Sequence, residues 1–407
     1  MRKYEIDTIE NKTFLKAIRD DLIAFGKRFP SPNGSSYYLS YDGTPVKEMP
    51  RETWITARMA HVYSLGAMLG YKDSIALAEA AVNGLCGELH DTVSGGWYAG
   101  IKTDGSVISV KQCYAHAFVI LGASSAVKAG IKGAEDLLTD ALDIYEKYFL
   151  DSKNGMAFDS WDASFDLADD YRGLNAIMHS TEAFLAASDV TGDDKYRKRA
   201  GVIIDRVIGF AESNRWRIPE HYTRDWIPDT EYNKEKPYDQ FKPYGATPGH
   251  AIEWARLIVQ WAYASYGDDK LAMQSYIDAA LDLYGTAVND GWDADGAPGF
   301  CYTTDWNGKA VVHDRMHWTL AEAINTSAVL YRATGDRRYS SDYAMYMDYL
   351  DSCVIDHISG SWFHQLDRNN RVTDTVWPGK PDLYHAVQAT LIPYNYDPGV
   401  SISSAKL

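Results

Sequence analysis

Basic clusters are the first thing this sequence lacks. Its 407 residues carry 40 Lys and Arg against 56 Asp and Glu, a net charge of −16. Nucleic-acid phosphates demand concentrated positive charge, so a nucleic-acid partner is excluded, and an anionic membrane surface is equally unsuited. No apolar run approaches the ~18 residues needed to cross a bilayer. The opening segment, MRKYEIDTIENK, is charged and has no apolar stretch of the secretory kind. Cysteine is scarce as well, and Cys86, Cys113, Cys301 and Cys353 are widely scattered. Such spacing makes neither a zinc site nor a disulfide framework, so the expectation is reduced, buried thiols in a cytoplasmic protein.

Apolar and aromatic residues, by contrast, are plentiful: 46% of the chain is hydrophobic, with 12 Trp and 29 Tyr. That is ample for a large core, and aromatic rings also suit stacking against sugar faces. Length alone would suggest two or three domains, but closed barrels absorb this many residues in one unit, and residues 1–407 read as one domain. Apolar spacing of three and four predicts twelve helices. They fall over residues 14–29, 54–69, 74–89, 110–128, 134–150, 175–190, 195–211, 248–265, 273–288, 316–333, 339–354 and 381–391.

Every second helix ends in a similar phrase: LGYKDS, AGIKGA, TGDDKY, YGDDKL and TGDRRY. The glycines Gly70, Gly130, Gly192, Gly267 and Gly335 stand where a left-handed C-terminal cap is wanted. They recur at intervals of 60, 62, 75 and 68 residues, the period of a helical hairpin. The even-numbered helices are the more apolar, as an inner ring requires. Closing that ring by pairing the last helix with the first gives an all-α (α/α)6 barrel with short loop and hairpin insertions at one mouth. An open solenoid is the alternative, but it calls for a more uniform repeat and capping ends.

Inner helices running the same way can be compared in depth by counting back from each capping glycine. Arg58 lies 12 residues before its glycine, His116 and Glu253 lie 14 before theirs, and His179 and Glu322 lie 13 before theirs. At about 1.5 Å per residue these fall within roughly one helical turn of each other. Tyr114 and His250 sit nearer the mouth, and His385 is placed similarly near the start of the last helix. One such residue is ordinary in a core; a ring of them at one depth points to a polar pocket.

Arg58, His179, His250, Glu253 and His385 lie in phrases that, with others along the chain, resemble the N-acylglucosamine 2-epimerase superfamily: WITARMAHVYSLG, GGWYAG, DYRGLNAIMHSTEAF, TPGHAIEWARL, DGWDADGAPGF, GSWFHQLD and WPGKPDLYHA. The resemblance runs from about residue 10 to about 395, and implies the six-hairpin barrel already read from the repeat. It also implies a cofactor-free aldose–ketose isomerase acting on a free monosaccharide, mannose or sulfoquinovose, rather than a cellobiose 2-epimerase; a sugar 2-epimerase of the same superfamily is the alternative, because one enediol serves both outcomes. By the same resemblance, Arg58 would polarise the oxygens at C1 and C2, and His385 would move the C2 proton. His250 backed by Glu253 would be the second acid/base group, and His179 would assist ring opening. Trp54, Tyr114, Asn175, Trp318 and Trp377 would line the sugar.

Elementary chemistry agrees. Isomerising an aldose means taking a weakly acidic proton from C2 and returning it to C1 through an enediol, work for a histidine near neutral pH. A fixed guanidinium stabilises the charge that develops on oxygen. The His250-x-x-Glu253 spacing puts the pair on one helix face, where the carboxylate could set the imidazole tautomer. The same spacing could also serve a metal, although proton transfer is the preferred reading and no metal is expected. The DADG at Asp293 lacks the rest of a calcium loop and reads as a turn. A glycoside hydrolase would need two carboxyls across a glycosidic oxygen, and Glu253 with Glu322, or Asp159 with Asp162, could be so assigned. A non-catalytic sugar-binding protein is a further alternative. The closing motifs supply His364 and Pro381, with Gln240 and Lys242 upstream, fewer anion-binding groups than a sulfonated sugar wants, which favours neutral mannose. No oligomeric state is implied.

Overall fold

The computed structural model describes residues 4–395 and 397–406. Its helices are α1 (Ile9–Gly26), α2 (Thr53–Met68), α3 (Ser74–Cys86), α4 (Cys113–Lys128), α5 (Ala134–Ile144) and α6 (Leu174–Thr191). They continue with α7 (Asp194–Ser213), α8 (Pro248–Tyr266), α9 (Lys270–Gly291), α10 (His317–Thr334), α11 (Arg337–Tyr349) and α12 (Tyr384–Asn395). The even-numbered helices are buried almost all round. Every residue from Thr53 to Gly66 of α2 is buried, as is every residue from Pro248 to Ala262 of α8. The odd-numbered ones bury a single stripe, as in α7 and α11.

This difference sorts them into two rings. The inner ring runs α2, α4, α6, α8, α10, α12 and back to α2; each member is backed by one outer helix, with α1 behind α12. The ring is therefore closed as an (α/α)6 barrel, and the open solenoid is not found. All five glycines that end the repeated phrases have positive φ, between +59° and +82°. A side chain there would be strained, which is why the chain reverses at glycine each time.

The mouth is built by a repeated device. The residues entering each inner helix pair with a strand from the loop of the next hairpin: Arg51–Glu52 with Gly100–Ile101, Lys111–Gln112 with Ser160–Trp161, Arg172–Gly173 with His221–Tyr222. Arg315–Met316 does the same with Gln365–Leu366, and Ala246 bridges Thr304. The last repeat closes on the first, with Lys380 N–H donating to Leu39 O at 2.9 Å. These two-residue strands are the expected insertions. They also explain why α4 starts at Cys113 and not at 110. The opposite end is covered by the C-terminal segment, where Ser403 is buried and accepts from Ser125 Oγ at 2.7 Å.

Helix ends differ from the sequence reading in ways that caps explain. α1 begins five residues early because Thr8 Oγ1 accepts from Asn11 N–H. α12 begins late because Asp382 Oδ1 takes the Tyr384 N–H, and residues 381–383 stay outside the helix. The wider π turns Tyr145–Phe149 and Leu350–Val354 finish the segments that extend α5 and α11. The cysteines are free, with Cys113 and Cys301 buried; Cys86 is exposed, against expectation, because it sits on the outer face of α3.

Candidate active site

The first turns of the inner helices open onto one cavity. It is lined by Arg58 from α2, Tyr114 from α4, Asn175 and His179 from α6, His250 and Glu253 from α8, Trp318 from α10 and His385 from α12. Trp377 joins them from the loop before α12. Every residue given a catalytic or sugar-lining role from the sequence, except Trp54, thus lines it. Trp54 stands one layer back, against an outer cavity with Tyr114, Asn175 and Phe241. There its ring lies 5.0 Å from the Arg58 guanidinium and edge-on to Trp377 at 6.0 Å.

Two histidines face the cavity with their Nδ1 atoms turned away. His250 Nδ1 is 2.9 Å from Glu220 Oε2, and His385 Nδ1 is 2.9 Å from Glu322 Oε1. A carboxylate accepts only from N–H, so each pairing assigns the proton to Nδ1 and leaves the Nε2 lone pair free. Trp318 lies against both rings, 4.9 Å from His250 and 5.9 Å from His385. Burial in this apolar wall drives His385 well below the ordinary histidine range and His179 down to about 4, so both are neutral bases.

Arg58 is held in an aromatic cage, 4.3 Å from the Phe118 ring and 4.8 Å from that of Tyr384. Its Nη1 donates to Asp382 Oδ2 at 3.0 Å and its Nη2 to Tyr114 Oη at 2.8 Å. Burial opposes the charge, but Tyr114 and Asp382 outweigh it, and the guanidinium stays ionised. Beneath the cavity a second guanidinium, Arg256, meets three buried carboxyls. Its Nε donates to Glu322 Oε2 at 2.8 Å, and its Nη2 is 3.4 Å from Glu253 and 3.7 Å from Glu182. Several cavity-lining residues carry buried polar atoms with no partner among the described residues: Asn175 Oδ1, Glu253 Oε2, His317 Nε2 and Trp377 Nε1. Such groups cost free energy unless something polar meets them, and a polyhydroxyl ligand does.

The structure corrects three readings. His116, placed in the ring by depth, faces outward: its Nδ1 meets Gln112 O, its Nε2 accepts from Trp97 N–H, and its ring packs on Phe149. Counting gives height along a helix but not direction, and two residues beyond Tyr114 is about 200° around the axis. Glu253 does not set the tautomer of His250; Glu220, in the loop between α7 and α8, takes that place. The carboxyls weighed for a hydrolase do not flank the cavity as a pair. Glu253 and Glu322 share one guanidinium below it, while Asp159 lies in the outer cavity beside Lys242 and Asp162 is exposed.

Donor groups that could surround a metal are His179 with Glu182 and Glu253, and Glu253 with Glu322 and His385. Arg256 lies among all three of these carboxyls and already supplies a positive charge there. Asp295, Cys301 and His313 form another group, but Arg315 forks across both oxygens of Asp295 at 2.8 and 3.1 Å. The donor sets are thus spoken for by arginines.

Sequence reasoning missed Glu220, Asp382, His317, Phe241 and Tyr302. Asp382 sits in the same PDLYH phrase as His385, and His317 precedes Trp318, so both were within reach of a closer reading of those motifs. Glu220 carries no local signal.

Residues 34–389 match the family model described as N-acylglucosamine 2-epimerase. The chain is 40% identical over 373 residues to the D-mannose isomerase of Pseudomonas cannabina pv. alisalensis, covering 91% of this chain and 90% of that one. It is 39% identical over 386 residues to the D-mannose isomerase of Thermobifida fusca, covering 94% of each. A crystal structure of D-mannose isomerase superposes with a TM-score of 0.86 at 28% identity, over 94% of this chain and 97% of that chain. With the matched span covering most of the closed barrel and its polar mouth, the chain belongs to the N-acylglucosamine 2-epimerase family.

Proposed function

We propose that this protein is an aldose–ketose isomerase that interconverts D-mannose and D-fructose through an enediol. The observation that carries the reading is the pair of histidines, His250 and His385, each tethered at Nδ1 by a carboxylate and each facing one cavity beside Trp318. Two bases on one site are what moving a proton from C2 to C1 requires. The relatives at 40% and 39% identity, both named D-mannose isomerase, support the substrate.

In this reading His385 removes the C2 proton and returns it to C1, while His250 exchanges the proton of the neighbouring hydroxyl. Arg58, held by Asp382 and Tyr114, meets the charge that grows on the sugar oxygens. His179 helps to open the ring, and Tyr114, Asn175, Trp318 and Trp377 form the walls, with Trp54 supporting Arg58 from behind. Among the described residues lining the inner cavity, Arg58 is the one guanidinium or ammonium, and it is already paired with Asp382. That supports a neutral hexose over a sulfonated one. No cofactor or metal is assigned a step. The chain acts as one catalytic domain in the cytoplasm; among the described residues no helix is long and apolar enough to cross a membrane.

A proton NMR time course on D-mannose in deuterated water tests this directly. Fructose signals should grow, with deuterium entering C1 of fructose and C2 of recovered mannose. Unchanged mannose alongside cleavage of a mannoside would overturn the assignment.

A further inference from the structure

Below the cavity, one cation serves three carboxyls. Arg256 gives its closest contact, 2.8 Å from Nε, to Glu322, and that carboxylate also accepts from His385 Nδ1. Glu182 lies 3.7 Å from Arg256 and accepts from the Tyr384 hydroxyl and from Gln388 Nε2 at 3.2 Å. Glu253 is left with a 3.4 Å contact from Arg256 to Oε1. Its Oε2 meets no partner among the described residues, although the side chain is fully buried and lines the cavity.

From this arrangement we propose that Glu253 works as a neutral carboxylic acid whose hydroxyl donates a hydrogen bond to a sugar oxygen in the cavity. The inference rests on the isomerase reading above. An ionised Glu253 would be a buried charge with a third share of one guanidinium, a costly state that protonation removes. The charged and titratable groups around it come from every inner helix. They are Arg58 on α2, Tyr114 on α4, His179 and Glu182 on α6, His250 and Arg256 on α8, Glu322 on α10, and Tyr384 and His385 on α12. Arg58 is bound to Asp382 and Arg256 is shared, so neither gives Glu253 a cation of its own. Burial, then repulsion from Glu322, pushes its carboxyl well above the usual range. A protonated carboxyl can donate where a carboxylate can only accept. A carboxyl that its surroundings keep neutral is therefore a hydrogen-bond donor even at neutral pH, and a donor aimed at a reacting oxygen assists enediol chemistry.

The test pairs a spectrum with a conservative rescue. An infrared difference spectrum between wild type and Glu253→Gln at neutral pH should show the carbonyl stretch of a protonated carboxyl in the wild type. Glu253→Leu, which has no donor, should lose about 10²- to 10³-fold in turnover of D-mannose. Glu253→Gln, whose amide N–H can replace the acid's hydroxyl, should recover at least about tenfold of that loss. Absence of the protonated carboxyl band, or a Gln variant as impaired as the Leu variant, overturns the proposal. Because the band is read without substrate, it still reports on Glu253 if D-mannose is not turned over, a result that would instead fail the functional assignment. Should the Leu variant not fold, the band and the Gln variant decide.

Discussion

Replacing Glu220 by Gln tests the one contact that sequence spacing assigned to a different residue. Glu220 Oε2 is 2.9 Å from His250 Nδ1, and both side chains are buried. Gln keeps the size and can still accept a hydrogen bond, so folding and sugar binding should survive. What disappears is the negative charge that stabilises the imidazolium formed when His250 takes a proton. Opposite charges about 4 Å apart interact by about 4 kcal/mol at an effective dielectric near 20. The delocalised imidazolium and the remaining hydrogen bond reduce the net loss to about 2–4 kcal/mol. At about 1.4 kcal/mol per decade, this predicts a fall in turnover of about 30- to 1,000-fold. Steady-state kinetics of D-mannose isomerisation supply the assay, with KM and thermal stability measured on the same preparation. The loss should sit in kcat, with KM and Tm close to wild type. Turnover within threefold of wild type would refute the reasoning and return the orienting role to another group.

Arg58→Lys keeps a charge but loses the fork to Asp382 and Tyr114, and should lower kcat about 10²- to 10³-fold; a change confined to KM would remove Arg58 from transition-state stabilisation. Prolonged dialysis against a chelator should leave turnover intact, since Arg256 already supplies the positive charge among the buried carboxyls. Activity that is lost and then restored by a divalent metal would show otherwise. Acid should destabilise the fold early. Burial holds His61, His179 and His317 down to about 4, His116 to about 3, and His364 and His385 well below 6.5. The unfolded chain therefore binds these protons first, and stability present above pH ~6.5 is lost as pH falls toward the folded values. Each group contributes up to about 1.4 kcal/mol per pH unit in that window. Carboxyls held above their ordinary range work in the opposite sense and offset part of this fall, among them Glu253, Glu322, Glu52 at about 7 and Asp159 at about 6. Calorimetry should find Tm falling steadily from pH 6.5 to pH 5, and a flat Tm across that range would contradict the neutral, buried state of these histidines.

By itself the sequence determined the repeat, and with it the barrel. Five glycines at similar intervals and an alternation of all-round apolar with one-faced helices are local properties, set by backbone conformation and burial, and both are visible in the letters. Depth was legible for the same reason: residue counting measures distance along a helix, which is why Arg58, His179, His250, Glu253 and His385 were brought together correctly. Direction around the axis was not, and His116 turned outward while Tyr114, two residues earlier, faces the cavity. Pairing across the barrel was beyond reach altogether. Glu220 finds His250 across 30 residues of loop and helix, Asp382 finds Arg58 across 324, and Glu322 finds His385 across 63. Nothing in the local sequence marks which group each of these carboxyls meets, because the contact exists only once six hairpins have closed their ring. The tertiary structure alone decided which carboxyl is paired and which, in Glu253, is left facing the cavity.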